Sequence, residues 1–264
     1  MRVAIVGMGR WGTQIYRALK PLCYVWPCPT RAETDAMMAD SSVDAVVIAT
    51  PIGTHFALAE RALLAGKHVF VEKPMCVFTS AAERLVYLAA VQSRTLFVGH
   101  IFAYHPSFAT LAETARANEI ESIHCTWRKF GTYSDDITQN LVSHDIALAL
   151  ILCGAEPTDF EVLTRIGVVS DVDIIRLRMY LGKTQCLIDI DRNSPLKTHK
   201  TLSVKLKGCA PYETDLLRWV PPEEPLTREM LAFLDACSGG PPPITDGLHG
   251  LKVVRAVQTI NEMT

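Results

Sequence analysis

The stretch Val3-Ala4-Ile5-Val6-Gly7-Met8-Gly9-Arg10-Trp11-Gly12 decides the architecture of the front of the chain. Four consecutive apolar residues suit a short buried strand, and the glycines that follow are spaced GxGxxG ahead of residues 13–20, which read as a helix stopped by Pro21. Strand, glycine turn and helix are the context in which this spacing cradles a dinucleotide. Gly7 permits the tight turn, Gly9 lets the backbone approach a pyrophosphate, Gly12 allows helix and strand to pack closely, and the anion rests on the amides at the helix start. Arg10 and Trp11 stand where they would cover the pyrophosphate and the nicotinamide side; a solvated cation and a packing aromatic are the alternative.

Outward from this motif, strands at 23–26, 44–49, 69–71 and 96–98 alternate with helices at 31–39, 56–65 and 80–92. Such alternation implies a parallel sheet covered by helices on both faces. Beyond about residue 119 the texture changes. Strands at 122–130, 158–166, 173–180, 184–191 and 201–207 follow one another directly, which implies antiparallel pairing, with Leu181-Gly182-Lys183 as a hairpin turn and an apolar helix inserted at 137–152. A helix at 227–236 lies between Pro221-Pro222 and Pro241-Pro242-Pro243, and residues 247–263 form a last helix. The expected fold is therefore α/β: a shortened Rossmann-type, dinucleotide-binding sheet domain over 1–103, then an α+β domain with an open antiparallel sheet over 104–264.

The 264 residues are 49% hydrophobic and 20% charged, enough for a sizeable core. Lys and Arg number 26 against 28 Asp and Glu, a net charge of -2 without blocks of one sign. That balance offers no footprint for nucleic acid or an anionic membrane, so a small-molecule partner is expected. Apolar runs such as 146–153 are too short to span a bilayer and residues 1–6 too short for a signal-peptide core, so a cytoplasmic location is expected. The eight cysteines are scattered without a CxxC pair and read as reduced thiols, with no metal site.

The end of the second strand carries Thr30 and Arg31 where an acidic residue would serve the adenosine ribose of NAD. A hydroxyl and a guanidinium suit a 2'-phosphate, which favours NADP as cofactor. The competing assignment keeps NAD, with Glu33 turned back to the ribose and Arg31 solvated. Only residues 31–43 separate this strand from the next, enough for one short helix but not for helix plus strand. An outer strand is expected to be missing, which leaves the second strand as an edge; Pro27 and Pro29 fit an edge because proline cannot donate to a neighbouring ladder.

Thr50-Pro51-Ile52-Gly53-Thr54-His55, then 62–74 ending Gly66-Lys67-His68-Val69-Phe70-Val71-Glu72-Lys73-Pro74, resembles the glucose-fructose oxidoreductase, inositol dehydrogenase and rhizopine-catabolism (Gfo/Idh/MocA) family. The likeness continues through Val98-Gly99-His100, His105-Pro106, the segment 140–152 with His144-Asp145, and Asp246-Gly247. It implies an NAD(P)-dependent oxidoreductase whose substrate lies between an open sheet and the nicotinamide, and a homo-oligomer, dimer or tetramer, formed through an exposed sheet face. By position, Gly7, Gly9 and Gly12 would hold the pyrophosphate, Thr50, Pro51 and His55 would line the cofactor, and Glu72, Lys73 and Pro74 would lie beside the nicotinamide. Lys73 and His144 resemble the pair that handles the substrate hydroxyl or carbonyl. The residue one helical turn before the histidine is often Asp in the family and is Asn140 here, which removes a carboxylate.

The chemistry supports these residue types on its own terms. Hydride arrival at a carbonyl builds negative charge on oxygen, which Lys73 would stabilise, and His144 titrates near neutral pH and would supply the proton. Asn140 and His144, four apart, share a helix face, while Asp145 points about 100 degrees away and reads as a structural acceptor. His100, Tyr104 and His105 are further lining candidates, with structural roles equally open. The expected reaction is hydride transfer between nicotinamide and a carbonyl or hydroxyl carbon of a sugar, nucleotide-sugar or cyclitol. A cyclic imine or other ketone, or a non-catalytic dinucleotide-binding regulator, are the alternatives.

Overall fold

The computed structural model describes residues 1–195, 197–219 and 224–263, so the expected Pro221-Pro222 break lies outside the described residues. Two compact units emerge: Met1–Ile101 with Glu224–Arg255, and Phe102–Glu223 with Ala256–Thr264.

In the first unit, β1 (Arg2–Val6), β2 (Tyr24–Cys28), β3 (Ala45–Ile48), β4 (His68–Glu72) and β5 (Leu96–Gly99) form a parallel sheet in the order β2-β1-β3-β4-β5. Its inner strands are buried along nearly their whole length, as a sheet covered on both faces requires. Four helices alternate with them: α1 (Arg10–Leu19), α2 (Arg31–Ala39), α3 (His55–Leu64) and α4 (Thr79–Val91). α1 begins at Arg10, three residues before its expected start, because the glycine turn itself is its N-terminus and Gly9 its cap. Residues 31–43 contain α2 and no strand, so β2 is the edge, with Pro27 in register opposite Ile5. The outer strand is absent, as its spacing foretold.

The second unit opens with a helix that sequence patterning did not foresee, α5 (Pro106–Arg116), with Pro at its first turn and the His105 ring as N-cap. β6 (Ile120–Arg128) follows, then a π-helical turn, Thr138–Val142, running into α6 (Ser143–Cys153). β7 (Pro157–Ile166), β8 (Ile174–Leu181), β9 (Thr184–Asp191), β10 (His199–Leu206) and an unforeseen β11 (Tyr212–Asp215) complete a sheet ordered β11-β10-β6-β9-β8-β7. Gly182, at φ 61°, closes the β8–β9 hairpin in two residues. One pair departs from the expected antiparallel sheet: β6 and β9 run parallel, so the sheet is mixed. The cause is the helical crossover after β6, which returns the chain in the same direction where a hairpin would reverse it. Side chains alternate cleanly. Ile123, Cys125, Leu177, Met179, Ile188 and Ile190 are buried, and α6, buried at almost every position, packs within the unit.

The chain then returns to the first unit. α7 (Pro225–Cys237) inserts Phe233 against Phe70 and Phe97 at centroid distances of 5.6 and 5.7 Å, and Asp246 bridges Phe97 just before α8 (Gly247–Glu262). A division at 103/104 therefore misplaces residues 224–255, because two buried aromatics on β4 and β5 need a third layer that only this late segment supplies. No described helix is long and apolar enough to cross a membrane.

Candidate active site

The glycine turn is built as its spacing requires. A Cβ on Gly12 would stand 1.9 Å from the Gly7 carbonyl oxygen, and Gly7, at φ 95°, could carry none without meeting the Ala49 carbonyl at 2.6 Å and Thr50 Cγ2 at 2.7 Å. Over Gly9 the space is open, with nothing within 4 Å of a notional Cβ. No side chain caps α1 and no acid stands in its first turn, so its leading amides face the turn without competition. These features fit a dinucleotide pyrophosphate.

At the carboxyl end of β4 the candidates converge. The Trp11 indole donates to Glu72 Oε1, which joins the start of α1 to the Glu72-Lys73-Pro74 element. His55 is buried, its Nδ1 2.9 Å from the Pro74 carbonyl and its Nε2 2.8 Å from the Thr50 carbonyl, so the ring braces two loops against each other. Burial pulls the His55 pKa down, the two carbonyls work against this, and the Lys73 charge adds to the fall. Thr50 Oγ1 meets Thr54 Oγ1 at 2.7 Å, while Pro51 is exposed beside it. Burial lifts the Glu72 carboxyl to about 7 against the opposing pull of the Trp11 indole and of Lys73. Lys73 itself is half-buried. Arg10 is exposed at the first position of α1.

At the end of β2 the structure separates the two expected partners of the ribose. Thr30 caps α2 in a capping box: its hydroxyl donates to Glu33 Oε2 at 2.6 Å, its amide donates to the same oxygen at 2.9 Å, and the Glu33 amide returns to Thr30 Oγ1 at 3.3 Å. The Glu33 carboxylate is thus held at the strand end. The Arg31 side chain is 92% exposed, with only a 3.9 Å approach to Asp35.

In the second unit His144 lies among aromatic rings, 4.9 Å from Phe102 and 5.6 Å from Trp127 between centroids. Lys200 Nζ sits 4.0 Å from the Trp127 ring centroid and is ion-paired with Asp145, both side chains almost wholly buried. Asp145 is thus a structural acceptor. Asn140 Nδ2 donates to Asp135 Oδ2 at 3.0 Å, which puts a carboxylate beside the position where the family's is missing. Asp135 stands on a loop pinned by the buried Arg192, which donates to the Thr132 and Asp135 carbonyls and pairs with Asp173 at 3.0 Å. His105 spans Ser107 N and the Arg218 carbonyl and is structural, while His100 meets His249 edge-on at 5.7 Å in the first unit.

Sequence reasoning missed Trp127, Lys200 and Glu229. Two carried a signal: Lys200 stands in the inward phase of a strand continued by Leu202 and Val204, and Glu229 stands in the apolar stripe Leu226, Met230, Phe233. A groove of about 570 Å³ beside Leu96, Cys237 and Leu248 opens near the amino end of β5, the wrong end of a parallel sheet for a dinucleotide, and holds none of the candidates.

Known proteins share this fold. Residues 20–100 match the model of the oxidoreductase family with an NAD-binding Rossmann fold. The UDP-N-acetylglucosamine 3-dehydrogenase of Acidithiobacillus ferrooxidans is 26% identical over 302 aligned positions, covering 97% of this chain and 95% of that protein. A crystal form of that enzyme superposes with a TM-score of 0.89 at 26% identity, over 99% of this chain and 97% of that one. Inositol 2-dehydrogenase of Rhizobium meliloti is 29% identical across 53% of this chain and 45% of its own length. With the glycine turn, the Glu72-Lys73-Pro74 element and a near full-length relative in agreement, residues 20–100 carry the NAD-binding Rossmann fold of that oxidoreductase family, and the chain is an oxidoreductase.

Proposed function

We propose that the protein transfers hydride between nicotinamide and a carbonyl or hydroxyl carbon of a nucleotide-sugar or related polyol. The observation that carries the reading is the convergence of the close-packed Gly7–Gly12 turn with Trp11, Glu72 and Lys73 at the carboxyl end of β4. The likeness to a nucleotide-sugar dehydrogenase over nearly the whole chain favours that substrate class, with a free sugar or cyclitol next.

Bound NAD(P) supplies or accepts the hydride; the protein handles charge and proton. Gly7, Gly9 and Gly12 hold the pyrophosphate on the start of α1, and Thr50, Pro51 and Pro74 line the cofactor's path. Lys73 stabilises negative charge on the substrate oxygen, and His144 serves as the proton donor and acceptor. Asn140, fixed by Asp135, orients the substrate by hydrogen bonding. The Thr30–Glu33 capping box favours NAD over NADP, since a carboxylate held at the end of β2 suits a ribose diol and repels a 2'-phosphate, while Arg31 projects into solvent. The outward face of the second sheet, with Arg128, Asp189 and Leu187, is the surface through which we expect a homo-oligomer. Light scattering that reports a monomer overturns that assignment.

The test pairs binding with turnover. Lys73→Met should keep NADH affinity within a few-fold and lower turnover of UDP-sugars by about a hundredfold or more. His144→Asn should slow the reaction and displace its pH profile. Unimpaired turnover of Lys73→Met removes that residue from the mechanism, and tighter binding of NADPH than of NADH overturns the cofactor preference.

A further inference from the structure

Glu229 is a carboxyl with no exposure to solvent, and neither of its oxygens has a hydrogen-bond partner among the described residues. Burial without a partner strongly disfavours an ionised carboxylate in such a place. Its position on α7 says which group it serves. Glu229 and Phe233 are four residues apart on one face, a rise of about 6 Å. Phe233 packs on Phe70, and two residues further along β4, about 6.6 Å on the same sheet face, stands Glu72. On β5 the same step leads from Phe97 to Gly99, where a Cβ would meet Glu72 Oε1 at 2.9 Å and Phe70 Cζ at 2.8 Å. Glycine at 99 thus leaves room for the Glu72 carboxyl beneath α7.

We propose that Glu229 is a positioning residue, a neutral acid that shares its proton with Glu72 so that the two carboxyls together carry one negative charge beside Lys73. The charges facing Glu229 favour this arrangement. Burial raises its pKa well above the carboxylate range and the Glu72 charge raises it further; the His100 amide, which donates to the Val98 carbonyl and lies outside hydrogen-bonding geometry to Glu229, opposes this only in part. His100, after β5, and His249, on α8, are the nearby bases. Burial lowers both, with their neighbours' charges adding to the fall, and His249 is brought to about 4. Neutral imidazoles supply no cation to an ionised Glu229. The cations of the cluster are Lys73, next to Glu72, and Lys252, near His249. A neutral carboxyl needs an acceptor for its O–H, and a Glu72 carboxylate that takes the Trp11 indole N–H and the Lys73 amide keeps lone pairs to spare. The shared proton therefore holds Glu72 as an anion, and Glu72 holds the Lys73 ammonium in place.

This inference rests on the Lys73 reading for its consequence in turnover but not for its first test. Infrared spectroscopy of the intact protein at about pH 8, where ordinary carboxyls are ionised, should show a protonated-carboxyl band that Glu229→Gln removes. Trp11 fluorescence, isolated by difference from Trp11→Phe, should report the ionisation of Glu72. Glu229→Leu, which removes the proton donor, should move that inflection up by about one pH unit, while Glu229→Gln, whose amide still donates, should move it less than half as far. The acid limb of turnover should follow the same order. Absence of the carboxyl band, or an equal shift in both variants, overturns the shared proton. A band at pH 8 with turnover indifferent to Lys73→Met would keep the carboxyl pair and dismiss the Lys73 reading.

Discussion

A single methyl group tests two glycines of one turn in opposite ways. At Gly12 it would stand 1.9 Å from a backbone oxygen of Gly7, an atom that can move only if β1 and α1 move apart. Gly12→Ala should therefore lower unfolding stability by about 3 kcal/mol, measured by urea denaturation. At Gly9 the backbone is extended, at φ -70°, and the space is open, so Gly9→Ala should leave stability within about 0.5 kcal/mol of wild type. The same methyl would occupy the approach of the pyrophosphate, and NADH affinity should fall about tenfold, roughly 1.4 kcal/mol. A Gly9→Ala protein that binds NADH normally would show that this turn does not cradle the cofactor. The difference between the two glycines is legible in the sequence, because spacing assigns each a separate duty. What Thr30 does was not, since a threonine after a strand fits a phosphate contact and a helix cap equally well, and only the Glu33 carboxylate at 2.6 Å decides for the cap.

Among elements, legibility followed how much of each was set locally. β9 falls where patterning put it, because unbroken alternation marks its limits within a few residues. α5 was hidden because His105-Pro106 suggests a break in the chain as readily as a helix start, and the distinction rests on the His105 ring accepting from the Ser107 amide. β11, four residues long, has two exposed positions and no apolar alternation, and exists because β10 offers it a ladder. The parallel pairing of β6 with β9 depends on strands some sixty residues apart, and no local pattern encodes it. Asn140 shows the same limit within the site. The missing carboxylate was visible in the sequence, whereas the one supplied by Asp135 depends on Arg192 holding its loop.

For the whole molecule the decisive fact is that the first unit is completed by residues lying more than a hundred positions after its sheet ends. Phe70 and Phe97 stack at 5.2 Å on the face of the sheet that receives Phe233, and all three rings are fully buried. Removing one such ring from a packed site costs about 3–5 kcal/mol, a large part of the stability of a domain this size. α7 also delivers Glu229, so the segment that closes the core is the one that carries the proposed partner of Glu72. Residues 1–101 alone should therefore lack cooperative unfolding and NADH binding, since they leave two stacked aromatics open to water. The same residues joined through a flexible linker to 224–255 should regain both, as read by a single thermal transition and by NADH fluorescence. Phe233→Ala in that joined chain should abolish the gain. If residues 1–101 unfold cooperatively and bind NADH unaided, the late segment is an accessory to the fold, and Glu229 loses its structural reason for reaching Glu72.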